Sequence, residues 1–560
     1  MNEENKNQET ADSSEKREVK VNLPLLIAIL LIIVVVAIVV LKCIVFKDEN
    51  EDKYIENLPF VDIVHSGNTE NNQGGTDTNR NEKEENKTPV KVVTNFDLSF
   101  LKLENSLKNN LYSPLSIKYA LNMLADGTSG DSKEQIIKAI EDRDLTKYKT
   151  NANMSLANAM FIKEAFKDEI KENYGEALKE KYDAEVIFDT FETPEKVNSW
   201  VSEKTLNLIN NLFNDVSDKQ FLLVNALGID MEWKNKFLRN WEESFFEYKH
   251  EAFLLGYPEQ VSSHKFDDEK QTVSGMTIAA AVNNYDIVKE LGEDTIKQTV
   301  ADEYKKWMQD FESYDNMPEE EKQKLIDEYI QNGLYGEGLI NELNSNYKVS
   351  DSSTDFLMHV DDNVKVFAKD LKEYEGTTLQ YIGIMPTSEE LGMFIKTLDE
   401  SQINDIIGKL KEIKSENFKD GVVTKITGFI PKFKFDYKLN FKEDLKALGI
   451  NDVFEQGKAN LIKITDNEGV YITDALHKAN IEFTQDGIKA SAATVLGGGG
   501  GGGPFEYDFE VPVEEIDLTF DKPYMFLIRD KETNEIWFVG AVYEPLAWED
   551  EPDNNLQSGT

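Results

Sequence analysis

Side chains able to act as general bases, nucleophiles or metal ligands are few in this chain and stand far apart. The five histidines are His65, His250, His264, His359 and His477, with no HExxH pair among them, whereas zinc or base chemistry needs two or more such groups on one face. The one cysteine, Cys43, has no second thiol to pair with, so disulfides and cysteine-held metals are excluded. Gly127-Thr-Ser-Gly130 lacks the G-x-S-x-G spacing of a nucleophile elbow. The chain reads as no enzyme and calls for no cofactor and no metal.

Another stretch stands out for its small residues. Glu482-Phe-Thr-Gln-Asp-Gly-Ile-Lys-Ala-Ser-Ala-Ala-Thr494 places one glycine ahead of a run of small residues. In a β-strand successive side chains point to opposite faces. If this segment enters a sheet, one set (Ile488, Ala490, Ala492, Thr494) must pass between paired strands into the core. Bulky or charged groups there would jam. Ile488 is the largest of the set; being apolar it is compatible with burial while slowing entry.

The elements that must position this segment follow the same logic along the chain. Ser113-Pro114 opens a helix, with serine as cap and proline suited to the first turn, and a helical period runs through Phe96, Phe100, Leu101 and Leu107. Asn110-Leu-Tyr-Ser-Pro-Leu-Ser-Ile-Lys-Tyr-Ala-Leu-Asn-Met-Leu124 is followed by Leu156-Ala-Asn-Ala-Met160, Val197-Asn-Ser-Trp200, Leu223-Val-Asn-Ala226 and Trp233. Pro431-Lys-Phe433, His477-Lys-Ala479 and Phe520-Asp-Lys-Pro-Tyr-Met-Phe526 come next. Taken in order, these segments resemble the serpin family from about Asn95 to Trp548.

The resemblance implies an α+β fold, the serpin fold, with helices packed around three β-sheets and an exposed reactive-centre loop. Gln485, Asp486, Gly487, Ile488, Lys489, Ala490, Ser491, Ala492, Ala493 and Thr494 would be the loop hinge, and Ser113, Ser116, Asn225 and His477 the polar shutter beneath the opening sheet. The implied activity is suicide inhibition of a serine or cysteine endopeptidase. The target cuts the loop, and the freed segment enters the central sheet carrying the acylated enzyme with it. Seven glycines, Gly497 to Gly503, fill the bait region. Counting from the hinge places the scissile bond near Gly501-Gly502; counting back from Phe520 places it by Phe505, Glu506 and Tyr507. The polyglycine also leaves open a non-inhibitory binding or adhesion protein on the same scaffold.

Appendages frame this domain. The sequence divides into a polar arm (1–22), an apolar segment (23–46), an acidic linker (47–94), the serpin-like domain (95–548) and a polar tail (549–560). From Leu23 to Leu41 every residue except Pro24 is aliphatic, a length that matches the roughly 30 Å hydrocarbon core of a bilayer. The segment reads as an uncleaved transmembrane signal anchor. The expected location is the cell membrane, single-pass, with the serpin-like domain extracellular and monomeric. Residues 47–94 hold too few apolar groups to offset the entropy of ordering and read as a tether. A formal charge of −44, from 61 basic and 105 acidic residues, repels phosphate backbones and excludes nucleic acid as partner. Between about His250 and Val364 the chain departs from the family and reads as an inserted helical region, strongly helical from Glu303 to Gln331, with Trp307, Met308, Phe311, Leu325 and Tyr329 as its small core.

Overall fold

The computed structural model describes residues 93–141, 145–237, 261–309, 316–332, 338, 355–473, 475–488 and 512–550. The apolar segment 23–46, the linker to residue 92 and the tail from 551 lie outside them. Among the described residues no helix is long and apolar enough to cross a membrane.

The chain opens with α1 (Asn95–Leu103), started by a reciprocal cap in which Thr94 accepts from the Asp97 N–H and Asp97 accepts from the Thr94 N–H. Strand β1 (Asn110–Tyr112) leads into α2 (Pro114–Gly127), and α3 (Asp131–Ile140) follows. Strand β2 (Met154–Lys163), α4 (Glu172–Tyr182), β3 (Glu185–Asp189), α5 (Glu195–Lys204), β4 (Phe221–Ile229) and β5 (Met231–Glu232) come next. After β6 (Ser262–Phe266) and β7 (Gln271–Asn283) come helices α6 (Ile287–Leu291), α7 (Glu293–Met308) and α8 (Glu319–Asn332). Strands β8 (Phe356–Val360), β9 (Val364–Asp370) and β10 (Leu379–Pro386) precede α9 (Leu391–Thr397), α10 (Glu400–Gly408) and β11 (Lys411–Glu412). The remainder is β12 (Val423–Pro431), β13 (Phe433–Asn440), α11 (Lys442–Ala447), β14 (Leu476–Phe483), β15 (Gly487–Ile488), β16 (Val513–Thr519), β17 (Tyr524–Asp530) and β18 (Ile536–Val542).

A seven-stranded sheet, β1-β18-β17-β10-β9-β8-β11, forms the floor of the molecule. Strands β10 and β18 are buried at every position, as expected for strands covered on both faces. A second sheet, β16-β12-β7-β6, carries the strand that follows the loop. The resemblance implied three sheets, but the described residues form four. The expected central sheet is parted into β3-β2-β4 and β13-β14-β15-β5. The physical reason lies in β4 and β14: they stand apart, with no ladder between them, and face a cavity of about 90 Å3 lined by both strands and by α2. The two halves meet only at one end. There β5 continues the chain of β4 beyond Asp230 and pairs with β15.

The helical expectation for 250–364 is corrected in extent. Three strands of the common sheets, β6, β7 and β8, fall inside that span, and the strongly helical stretch from Glu303 to Gln331 falls on two helices, α7 and α8. Proline has no N–H to offer and suits a helix start; Pro318 immediately precedes α8. Tyr304 stacks on Tyr329 with ring centroids 4.9 Å apart, and Ile296, Val300 and Ile326, which the sequence reading did not single out, are buried. Leu325 and Met308 are half-buried, while Phe311 and the side chain of Trp307 lie outside what the structure describes.

Candidate functional site between the two half-sheets

Of the expected hinge the structure describes Gln485 to Ile488, of which Gly487 and Ile488 are buried within a sheet. A tight turn brings the chain back from β14: the Thr484 N–H donates to the Gly487 carbonyl at 3.0 Å, and the Asp486 N–H to Thr484 Oγ1 at 3.3 Å. Strand β15 then runs between β14 and β5, antiparallel to both, with Ile488 opposite Phe483 on one side and Met231 on the other. Ile488 is 1% exposed. The chain after β5 closes over the turn through Trp233 N–H to the Asp486 carbonyl (3.0 Å), Phe237 N–H to the Gln485 carbonyl (3.1 Å) and Trp233 Nε1 to the Thr484 carbonyl (2.8 Å). Lys236 joins Asp486 at 3.3 Å and Glu232 at 2.8 Å, and Lys372 also meets Glu232.

Gly487 is required by space. A β-carbon there would lie 2.2 Å from the Met231 carbonyl oxygen, far inside any contact distance, and backbone cannot yield as a side-chain tip can. Gly487→Val should expel β15 from between its neighbours, costing about 2–4 kcal/mol as an overpacked buried site. Trp233 packs on Phe483 at 5.4 Å and reports the change. Its emission should move to longer wavelength in the variant, and an unchanged spectrum with unchanged denaturant midpoint would disprove the tight fit.

Beneath the hinge the four shutter residues come together, with α2 bridging both edges of the cavity. Ser113 caps α2, accepting from the Ser116 N–H at 3.0 Å, and its own N–H donates to His477 Nε2 on β14 at 3.0 Å. Ser116 Oγ donates to Asn225 Oδ1 on β4. A ring nitrogen that accepts must be unprotonated, so His477 is neutral with its proton on Nδ1. Burial pushes its pKa down to about 4. Asn158 on β2, opposite Asn225 in the ladder, was missed by sequence reasoning: it accepts from Asn225 Nδ2 at 2.6 Å and donates to the Tyr182 carbonyl at 2.8 Å. Its signal was a second asparagine in the quoted Leu156-Ala-Asn-Ala-Met160 run, at an inward position of a strand whose partner also carries asparagine. The Lys236 clasp was missed as well. Nothing local marks one lysine among many as the partner of a residue 250 positions away.

Among the hinge residues Gln485, Asp486, Gly487 and Ile488 are thus placed. Lys489, Ala490, Ser491, Ala492, Ala493 and Thr494 lie outside the described residues, as do Gly501, Gly502, Phe505, Glu506 and Tyr507. Among the described residues no group of acidic, histidine or cysteine side chains could hold a metal ion.

The family model described as "Serpin (serine protease inhibitor)" matches residues 93–253 and 349–545. The chain belongs to the serpin family. It is 23% identical to Serpin B4 of Homo sapiens over 491 residues, covering 80% of this chain and 97% of that protein. It is 27% identical over 286 residues to a protein named serine protease inhibitor from Cyanea capillata, covering 48% of this chain and 70% of the relative. The thermophilic serpin tengpin in its native state shares the fold at a TM-score of 0.52 and 21% identity, over 84% of this chain and 96% of that one. Serpins are protease inhibitors acting on target proteases, and not enzymes. The dispersal of the histidines in this serpin accords with that. The family match pauses between 253 and 349, the stretch that holds β6, β7 and helices α6 to α8.

Proposed function

We propose that this serpin is a membrane-tethered suicide inhibitor of serine or cysteine endopeptidases, anchored through residues 23–46 with its folded domain outside the cell. The observation that carries the inhibitory reading is the fit between the loop sequence and the facing edges of β14 and β4. Strand β15 already sets the register: Ile488 faces Phe483 and Met231. Each further step of an antiparallel strand advances one residue on the loop and retreats one on both neighbours. Ala490 then comes level with Ile481 and Ile229, Ala492 with Ala479 and Leu227, and Thr494 with His477 and Asn225. The inward side of β14 is apolar at the first two levels and polar at the third, and the loop offers methyl groups at the first two and a hydroxyl at the third. Entry between β14 and β4 would therefore set small groups against these edges and replace, rather than abandon, the polar bonds of the shutter.

The same register addresses the polyglycine. Strand β14 begins at Leu476, level with Val495, so its whole length is matched before the first of the seven glycines at Gly497. Glycine weakens a strand by about 0.5–1 kcal/mol against alanine, but these glycines fall past the end of β14. Pairing on two edges forms on the order of ten bonds at about 1 kcal/mol each, comparable with the roughly 5–15 kcal/mol that keeps a protease domain folded.

The reading is tested by incubating the chain with serine and cysteine proteases. The expected result is an SDS-resistant one-to-one complex with at least one of them, and a loop-cleaved chain that melts on the order of 20 °C above the intact one. Cleavage in the loop with no complex and no rise in melting temperature would assign the chain to non-inhibitory binding.

A further inference from the structure

Lys369 on β9 is 3% exposed, the most deeply buried lysine among the described residues, and neither the shutter nor the register of the loop uses it. An ammonium taken out of water is strongly disfavoured unless it is paired, and burial pulls the pKa of Lys369 below the ordinary lysine value. Asp355, just ahead of β8, supplies the pair. The neighbouring acid, Asp370, is already engaged by Gln380 at 2.8 Å and by Lys531 at 2.6 Å. The Lys369 ammonium stands over the ring of Phe237, 5.0 Å from its centre, within reach of the attraction between a cation and an aromatic face.

Phe237 ends a short segment that lies between β9 and the hinge. On the β9 side the Lys234 N–H donates to the Asp370 carbonyl at 3.0 Å, Trp233 bridges to Leu371, and the Phe237 ring packs on Phe367 at 6.0 Å. On the hinge side the same segment supplies the bonds from the Trp233 and Phe237 N–H groups to the carbonyls of Asp486 and Gln485. Trp233 is fully buried; Phe237 is half-buried and is held on the β9 side through its ring. We propose that Lys369 is a positioning residue for the hinge: its ammonium, paired with Asp355, holds the Phe237 ring and thereby aims the Phe237 N–H at Gln485. A turn so held keeps Gly487 and Ile488 seated between β14 and β5. The loop then adds residues to a strand end already in register, without first meeting the entropy of ordering one. The role in trapping a protease rests on the inhibitory reading; the hold on the turn does not.

The test uses the full, uncleaved chain and reads amide hydrogen exchange. Lys369→Met combined with Asp355→Asn removes the cation and its partner together, so that no charge is left buried alone. Phe237→Leu removes the ring and leaves the charge pair and the N–H in place. In both variants exchange at positions 237 and 488 should quicken at least tenfold, while Ile528 and Val539, buried in the seven-stranded sheet, stay within about twofold of the parent. Combining all three substitutions should add less than about twofold more, as expected when both variants remove one contact. Unchanged exchange at 237 and 488 in either variant overturns the proposal, and so does equal acceleration at 528 and 539, which would make Lys369 a merely structural residue. Trapping is read apart, with active serine and cysteine proteases: both variants should at least triple the number of chains cleaved for each protease trapped, and an unchanged ratio overturns the role in trapping. A parent chain that is cleaved without trapping sinks the inhibitory reading, while the exchange rates still decide whether Lys369 holds the turn.

Discussion

Ala492→Arg is expected to turn the chain from an inhibitor into a substrate. If the loop enters in the register that β15 begins, position 492 faces inward, level with Ala479 on β14 and Leu227 on β4, both buried. A guanidinium carried there meets the buried apolar side chains of Ala479 and Leu227, and an unpaired buried charge costs several kcal/mol. At about 1.4 kcal/mol per tenfold in rate, insertion slows by more than a hundredfold, and water then releases the acylated protease before the sheet can trap it. The fraction of protease in SDS-resistant complex should drop at least tenfold, and the cleaved variant should melt at the temperature of the intact chain. Ser491→Arg is the matched control. On the opposite face it comes level with Asn480, which is half-buried, and should leave complex formation within about twofold of the parent, since surface substitutions away from packed features have small effects. Equal inhibition by the Ala492→Arg chain would show that residues beyond Ile488 do not follow the register of β15.

What could be read from the chain alone is what is local in it. The unbroken run of small residues from Ala490 to Thr494 is a local pattern, and the sequence states it openly. The capping of α2 by Ser113 and Pro114 is equally local. The parting of the central sheet is not local. It depends on β4 and β14, more than 240 residues apart, failing to meet, while Ser113 and Ser116 of one helix hold each of them by a hydrogen bond. The four residues expected as a shutter were named because the family order carried them, whereas Asn158 needed the ladder partner Asn225 to give it meaning. The start of the expected hinge adds a contact that only the fold reveals: Gly487 stands where no β-carbon fits, and Ile488, apolar and compatible with burial, is buried opposite Met231 and Phe483.

Acid should loosen the same sheet, through His477. The imidazole is 8% exposed and its pKa is lowered by burial from 6.5 to about 4. Between those values the unfolded chain binds a proton that the folded chain refuses, so stability rises with pH across this window. The contribution is fully present above about pH 6.5 and is lost as pH falls toward 4, a span worth about 3 kcal/mol. Protonated His477 also cannot accept the Ser113 N–H, which unties α2 from β14 at the level where Thr494 must enter. The parent chain should therefore lose more stability between pH 7 and 4.5 than His477→Gln, whose amide oxygen can accept the same N–H without titrating. Carboxylates elsewhere titrate alike in both proteins, so the difference between the two denaturation curves isolates the histidine. The gap should close as pH falls, and insertion of a synthetic Ala490–Thr494 peptide, read by native gel shift, should accelerate at pH 5 in the parent alone. Curves that run parallel across the whole window would mean that His477 keeps its ordinary affinity for protons and that the shutter does not respond to acid.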